Sequence, residues 1–483
     1  MDFGWLIWVA LIPALFACFQ CKQSQKGRFG LGYVLGVLYF GGTFWWIGYV
    51  TVPGTVALVL YLALYPAAWF WAVGRWRNRV SGAFGGHLIL AAGAASLWVV
   101  LEWTRGWALT GFTWNYLGVA LHRNVAMMQL ASLGGVHLLS WLIVAVNLLG
   151  ALGVERFCLQ ATGRLPRRAH FEILTAVGLS ALAFAWGLHR ALEPDAGSER
   201  SLRYGCIQPN VPQNAYLPEM STVEILERHA ELTTTATKEN PQLVIWPEAD
   251  TGEMVGHDGL LRSLVEGIGR KDHFYLLLGS EDEEEKRLYN SAFLFSPGAV
   301  AFQKYDKNRL VFFGEYTPLG DTFPVLRQLV PYSTDFTAGA APVKMEMRET
   351  GISFCPLICF EDTLADLGRH AGRLRPDLLI NITNDSWFKN SPGAEQHLAN
   401  AIFRTVENDM PMIRCGNTGV TCAISSRGVV LDRLPICTES TLSRQLTWRT
   451  GAETPYERWG EWVVIVAVGI CFAVEFALRR SVP

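Results

Sequence analysis

The sequence predicts two fold classes in one chain, an α-helical transmembrane bundle and an α/β domain inserted between its spans. Three observations carry this. Long apolar runs are confined to residues 4–191 and 461–478. Between them, short β-like runs alternate with helical ones, the texture of a layered α/β domain. The chain of 483 residues is half hydrophobic, with 18 Trp and only 17% charged residues, too apolar and too long for one soluble domain.

The spans are expected near residues 4–19, 28–50, 52–75, 86–104, 124–152, 170–191 and 461–478. Most reach the roughly 20 residues that a helix needs to cross the hydrocarbon core; the first is shorter. That first segment has no basic leader or Ala-x-Ala cleavage site, so it is not expected to be a cleaved signal peptide. Cations follow every second span: Lys22, Lys26 and Arg28; Arg75, Arg77 and Arg79; Arg156, Arg164, Arg167 and Arg168; Arg479 and Arg480. Such loops are expected in the cytoplasm, which places residues 192–460 and the N-terminus on the other side. The net charge of −2 leaves no nucleic-acid footprint. Ten Cys without a CxxC pair or a His/Cys cluster predict neither a zinc site nor a disulfide framework. Cys18, Cys158 and Cys471 fall in or beside apolar runs, where packing is their expected role.

The loop from Glu102 to Tyr116 reads EWTRGWALTGFTWNY. One reading is an interfacial aromatic belt with a snorkelling Arg. The other is a lipid-facing wall beside an active site. Glu102 and Arg105 stand one helical turn apart, a spacing that allows a pair.

In the polar insert, strands are expected at Leu202 to Gln208, Gln242 to Trp246 and Tyr275 to Gly279, with a hairpin over residues 291–304 around Pro297-Gly298. Further strands follow at Ile352 to Cys359, Asp377 to Thr383, Met412 to Cys415 and Val420 to Ser425. Helices are expected at Thr222 to Lys238, Thr363 to His370 and Gly393 to Glu407, and the charge run Asp282 to Lys286 reads as a solvated turn. Roughly 260 residues suffice for a sizeable core.

The stretch Leu357-Ile358-Cys359-Phe360-Glu361-Asp362 puts a thiol where an apolar strand gives way to a helix-like pattern. A strand end near a helix N-terminus favours the thiolate, although buried structural Cys residues are common. Glu248 follows an apolar run halted by Pro247, and Lys307 sits just past a β run. The carboxyl ends of strands are where α/β sheets gather ligands and catalytic groups. A carboxylate, an amine and a thiol together suit acyl transfer. The thiolate attacks and stores the acyl group, the carboxylate moves the proton, and the ammonium stabilises the oxyanion. A Cys–His arrangement with His397 stays open at this point. Cys355, four residues before Cys359, shares its face if the strand is regular and is expected to be dispensable.

WPEAD (246–250), KNRLVFFGEYTPLG (307–320) and LICFED (357–362) resemble the three signatures of the nitrilase superfamily. With them RGWALTGFTW (105–114), NDSWF (384–388), EQH (395–397), RCGNTGVT (414–421) and TPYERWG (454–460) resemble the apolipoprotein N-acyltransferase family. The resemblance implies a nitrilase-like αββα sandwich over residues 192–460, between a multi-span domain over 1–191 and a C-terminal span over 461–483. It implies Glu248 as base, Lys307 as oxyanion stabiliser and Cys359 as nucleophile, supported by Glu315 and Glu361. Trp107, Phe112, Trp114, Phe360 and Trp387 are the expected acyl-chain contacts.

The implied reaction moves a fatty acyl chain from a phospholipid, typically phosphatidylethanolamine, through a Cys thioester to the N-terminal amine of diacylglyceryl-Cys lipoproteins. No metal, nucleotide or nucleic acid takes part. The implied setting is a bacterial inner membrane with the catalytic domain on the periplasmic side, and the chain is expected to act as a monomer. The alternatives are a membrane-anchored nitrilase-type amidase or another N-acyltransferase, and, from a different class, a catalytically inactive scaffold. The sequence departs from the family at Phe312, where a Pro is usual, and at Phe360, where a Tyr is usual. Tyr216-Leu217 stand where a Trp is usual, and the bundle reads one span shorter. The Pro- and Gly-rich stretch Thr317 to Thr337 is a candidate lid.

Overall fold

The computed structural model describes residues 4–20, 24–163, 170–193, 197–212, 220–257, 259–271, 273–299, 301–318, 320, 322 and 335–480. Lys22, Arg164, Arg167, Arg168, Tyr216, Leu217 and most of the candidate lid lie outside them. The chain forms two compact units, Met1–Glu193 with Thr454–Pro483, and Pro194–Glu453. The TPYERWG segment, expected to close the polar insert, therefore belongs to the helical unit. The Tyr456 ring packs against Gly135, where helix Ala131–Ala161 is kinked.

Among the described residues of the helical unit, six helices are long and apolar enough to cross a membrane: Gln25–Tyr49, Val52–Arg77, Phe84–Arg105, Ala131–Ala161, Phe171–Leu192 and Trp462–Arg480. Gly4–Phe19 is a shorter apolar helix. This is a multi-pass membrane protein. The span expected from residue 124 starts later, because Val125–Met128 forms its own short helix, capped by the Asn124 side chain. Side-chain contacts tie the basic segments to one another's helices. Arg28 donates to the Gly74 carbonyl at 2.5 Å and to Asn78 at 3.1 Å. Arg75 pairs with Glu475 at 3.2 Å, and Arg77 with Glu155 at 3.0 Å.

The Glu102–Arg105 pair that the spacing allows does not form among the described residues. Glu102 accepts the Leu117 N–H at 2.7 Å instead. Arg105 is only 3% exposed. It lies over the Tyr116 and Phe40 rings at 4.9 and 5.6 Å, so it does not snorkel.

The second unit is two stacked sheets between helix layers. The strands are β1 (Glu199–Gln208), β2 (Leu243–Ile245), β3 (Tyr275–Glu284), β4 (Arg287–Phe295), β5 (Phe302–Asp306), β6 (Met345–Met347), β7 (Ile352–Ile358), β8 (Leu378–Thr383), β9 (Met412–Gly416), β10 (Cys422–Ile424), β11 (Val430–Arg433) and β12 (Ser440–Arg449). One sheet has the order β12-β1-β2-β3-β4-β5, the other β11-β10-β9-β8-β7-β6. The expected αββα sandwich is thus present, with β6, β11 and β12 beyond the expected strands.

Period-2 alternation explains the packing. Leu243 and Ile245 of β2, Ile352, Phe354 and Ile358 of β7, and Leu378, Ile380 and Ile382 of β8 point between the sheets into one buried core. The opposite face of the first sheet offers Val244, Leu276 and Leu278 to Leu226 and Leu232 of helix Thr222–Thr237 and to Leu261 and Val265 of helix Leu260–Lys271. Helix Thr222–Thr237 starts with a capping box between Ser221 and Glu224. The charge run expected as a turn is mostly strand. β3 pairs with β4 through Glu284–Arg287, and only Glu285 and Lys286 turn, both at positive φ as a two-residue hairpin demands.

β2 is three residues long and ends where Pro247 removes a ladder donor. Its end lies directly on β3: a Cβ on Gly279 would stand 2.6 Å from Glu248 Cα and 2.7 Å from the Ala249 nitrogen. These are backbone atoms that have no room to yield. Gly279→Ala is expected to destabilise the unit by about 1–3 kcal/mol through overpacking. Thermal unfolding of the solubilised protein checks this; an unchanged Tm would show that the strands have slack.

Candidate active site

Three strand ends and one following loop bring the expected groups together. Glu248 comes three residues after β2, Lys307 one residue after β5, and Cys359 one residue after β7. Glu315 lies eight residues past Lys307 in a loop that folds back.

Lys307 is the centre. Its side chain is 1% exposed, and its ammonium donates to Glu248 Oε1 at 3.0 Å and to Glu315 Oε1 at 2.8 Å. Asn290 Nδ2 donates to the same two carboxylate oxygens at 2.8 and 2.9 Å. The second oxygens are held by backbone: Asn384 N–H donates to Glu248 Oε2 at 2.9 Å, and Val311 N–H to Glu315 Oε2 at 2.7 Å. Burial opposes the charge on Lys307, but the Glu248 and Glu315 carboxylates outweigh it and hold its pKa well above the ordinary lysine value. Lys307 is a permanent cation here. Asn290 and the Asn384 amide went unread in the sequence: one is an Asn inside a strand, the other a main-chain donor that any residue supplies.

Cys359 begins the 3-10 turn Cys359–Thr363 with φ at +55°. A non-glycine residue in the left-handed region is strained by order 1–3 kcal/mol. Asn381 Nδ2, from β8, donates to the Cys359 carbonyl at 2.9 Å and helps to hold that conformation. The strain has a use. The turn lays Cys359 against the core between the sheets. Cys355 faces the other way, its thiol 3.5 Å from the Ala371 carbonyl of helix Ala365–Arg373. The two cysteines therefore do not share a face, because the strand ends at Ile358. The expected thiolate is also corrected. Burial, and then the Glu248 carboxylate, push the Cys359 thiol well above its ordinary pKa, with Lys307 pulling the other way. A five-residue turn has too small a dipole to offset this. The resting sulfur carries its proton and needs a base.

Glu361 is fully buried. Its Oε1 accepts from the Asn308 and Arg309 amides at 2.7 and 2.9 Å, its Oε2 from the Ile358 amide at 2.8 Å, and both accept from the Tyr305 hydroxyl. It staples the lysine loop to the end of β7, far more than a charge at a helix start does. Burial pushes its carboxyl up to about 7 against the pull of the backbone donors. His397 does not serve Cys359. Its ring nitrogens face Asp385 and Asp362, each at 2.8 Å.

The expected acyl-chain contacts divide between the units. In the α/β unit, Phe360 is half-buried with its ring 5.8 Å from the Lys307 ammonium, and Trp387 is half-buried in the turn Asp385–Phe388. In the helical unit, Trp107 is 57% exposed and packs edge-on against Trp103. Phe112 meets Phe44, and Trp114 is buried against Trp46. Trp114 thus belongs to the bundle's own packing. Among the described residues no cluster of His, Cys, Asp and Glu has the arrangement of a metal site.

Lys307→Met removes the cation and leaves Glu248 and Glu315 facing each other across a buried space. Like charges there cannot both stay ionised. Under the acyl transfer that the resemblance implies, the variant is expected to lose at least 1,000-fold in Cys359 acylation, about 4 kcal/mol at 1.4 kcal/mol per tenfold. Single-turnover kinetics on the solubilised protein measure it; a loss below tenfold would remove Lys307 from the reaction.

Residues 1–149 match the family model for the apolipoprotein N-acyltransferase N-terminal domain, and residues 205–456 match that for carbon-nitrogen hydrolases. An apolipoprotein N-acyltransferase of Geobacter metallireducens is 31% identical over 99% of this chain and 92% of its own. One of Azotobacter vinelandii is 34% identical over 84% of this chain and 76% of its own. A solved amidase from Nesterenkonia sp. is 15% identical, covers 53% of this chain and 91% of its own, and superposes with a TM-score of 0.39. With both halves matched in order over nearly its whole length, the chain belongs to the apolipoprotein N-acyltransferase family, whose catalytic half is a carbon-nitrogen hydrolase unit.

Proposed function

We propose that this membrane enzyme takes a fatty acyl chain from a phospholipid, phosphatidylethanolamine being the expected donor, and passes it through a Cys359 thioester to the N-terminal amine of diacylglyceryl-Cys lipoproteins. The observation that carries the reading is the buried ammonium of Lys307 between two carboxylates, with the Cys359 thiol at a strained strand end nearby.

In the first half-reaction Glu248 takes the thiol proton as Sγ attacks the donor ester carbonyl. The oxyanion forms beside Lys307, whose charge is already in place. Collapse breaks the ester C–O bond. Glu248 returns the proton to the departing oxygen, and a lysophospholipid leaves. In the second half-reaction the acceptor amine attacks the thioester carbonyl and gives a proton to Glu248. The C–S bond breaks, the proton returns to sulfur, and an amide has formed. The steps balance without a cofactor, and donor and acceptor use one site in turn. Glu315 orients Lys307, and Glu361 holds the lysine loop against the nucleophile turn.

The membrane bundle suits both substrates. Lifting a fatty chain out of lipid costs roughly 0.8 kcal/mol per CH₂, so more than about 10 kcal/mol for a long chain. A site served by membrane spans avoids most of that. Trp107, Phe112, Phe360 and Trp387 are the proposed chain contacts. The charge pattern of the loops supports a catalytic unit on the periplasmic side of the inner membrane.

Intact-protein mass spectrometry after mixing with phosphatidylethanolamine vesicles tests this. The expected result is one acyl adduct on Cys359 with release of lysophospholipid, and no adduct in Cys359→Ala. A wild-type protein that takes no acyl group, or that frees ammonia from a soluble amide, would overturn the reading in favour of an amidase.

A further inference from the structure

Behind the reacting groups lies a charged cluster that the acyl-transfer steps do not use. His397 sits on helix Gly393–Asn408, Asp362 three residues past Cys359, Asp385 next to Asn384, and Arg414 on β9. All four side chains are buried, at 0–1% exposure. His397 Nε2 lies 2.8 Å from Asp362 Oδ1, and Nδ1 lies 2.8 Å from Asp385 Oδ1. A neutral imidazole donates from one nitrogen only. Two carboxylate oxygens at this distance need two donors, so the ring is an imidazolium. Arg414 reaches the outer oxygens of the same two acids at 3.3 and 3.4 Å. Two carboxylates thus face two cations, and the buried charge cancels.

The two acids are not on neutral scaffold. Asp362 belongs to the Cys359–Thr363 turn. Asp385 follows Asn384, whose amide holds Glu248 Oε2 at 2.9 Å. One ring therefore spans the segment carrying the nucleophile and the segment gripping the proposed base. We propose that His397 is a positioning residue, whose imidazolium sets the distance between the Cys359 turn and the loop that holds Glu248. This rests on the acyl-transfer reading of Glu248 and Cys359.

The groups facing the ring define its titration. Asp362 comes from the nucleophile turn, Asp385 from the turn Asp385–Phe388, and Arg414 from β9, with Cys422 of β10 beyond Arg414. On its own helix, Arg404 and Glu407 pair with each other at 2.9 Å. Burial works against the charge, and Arg414 opposes it. The two carboxylates outweigh both and lift the ring to about 9, above its ordinary 6.5. The clamp is thus charged below about pH 9 and lost above it.

The experiment uses the full chain in detergent micelles and compares wild type with His397→Gln, whose amide carries no charge and donates to one acid at most. Two rates are read for the folded fraction: alkylation of Cys359 by iodoacetamide at pH 7.5, and single-turnover acylation from phosphatidylethanolamine vesicles across pH 6–10. The expected result is a loss of at least tenfold in both. The alkaline fall near pH 9 in the wild-type acylation profile should disappear. Rates within twofold of wild type, with that fall retained, would overturn the proposal. So would a loss explained wholly by unfolded protein. If His397→Gln does not fold, Asp385→Asn serves: with one carboxylate gone, the alkaline fall should move to lower pH, and an unmoved fall would overturn the proposal. A wild type that takes no acyl group sinks the acyl-transfer reading alone, because the alkylation comparison still decides the role of His397.

Discussion

The catalytic unit depends on one buried ammonium held between two carboxylates. Desolvating an ammonium and two carboxylates costs several kcal/mol per ion, and Coulomb attraction alone does not reliably recover it. What tips the balance is saturation. Asn290 serves one oxygen of each acid, and the Asn384 and Val311 amides serve the others. The donors come from β4, from the loop after β8 and from the loop after Lys307, so the ion cluster forms only when both sheets and their loops are in place. Such a cluster reports the fold as much as it stabilises it.

The state of Cys359 follows from that cluster. A thiol beside two carboxylates and one ammonium sees a net negative surrounding, and burial adds to it. The resting nucleophile is therefore neutral. This differs from cysteine enzymes that keep a standing thiolate on a helix dipole or beside a protonated His. In the proposed reaction the reactive anion is made by a base already in contact with the cation, where an ester carbonyl near Lys307 would meet the base, the sulfur and the cation together. The left-handed turn at Cys359, held by Asn381, makes that convergence geometric: a regular extension of β7 sends the side chain toward the helix layer, as Cys355 shows.

Legibility in the sequence followed the range of the interactions. The apolar spans, the alternating strands and the Pro that halts β2 are local, and the structure places most of them within a few residues of expectation, the span expected at 124–152 excepted, whose helix is Ala131–Ala161. Glu248, Lys307 and Cys359 each end or follow a recognisable run, whereas Glu315 and Glu361 entered only through the family resemblance. What stayed hidden depends on partners distant in the chain. The Asn384 amide is 136 residues from Glu248, and Glu361 finds Tyr305 across 56. Backbone conformation was equally opaque. Nothing in LICFED announces a positive φ at Cys359, so the expectation that Cys359 shares the face of Cys355 failed. The aromatic loop erred in the opposite direction. Its Trp and Phe residues read either as an interfacial belt or as one wall, yet Trp114 is buried against Trp46, Phe112 is half-buried against Phe44 and Trp107 is strongly exposed.

The two units solve different halves of one energetic problem. The reaction needs a dry, rigid cluster of charge, which a membrane interior tolerates poorly: a charged side chain there is costly unless paired. It also needs access to chains that water tolerates poorly. Segregating the tasks resolves the conflict. The sandwich carries the buried ions behind two hydrogen-bonded sheets, where every strand but the edges is paired on both sides. Among the described residues of the bundle, Arg105 lies over the Tyr116 ring, Arg77 pairs with Glu155, and Arg28 is held by the Gly74 carbonyl and Asn78. Glu248, Lys307, Glu315, Cys359 and Glu361 all lie within the unit Pro194–Glu453, so the proposed chemistry draws its charged groups from one unit.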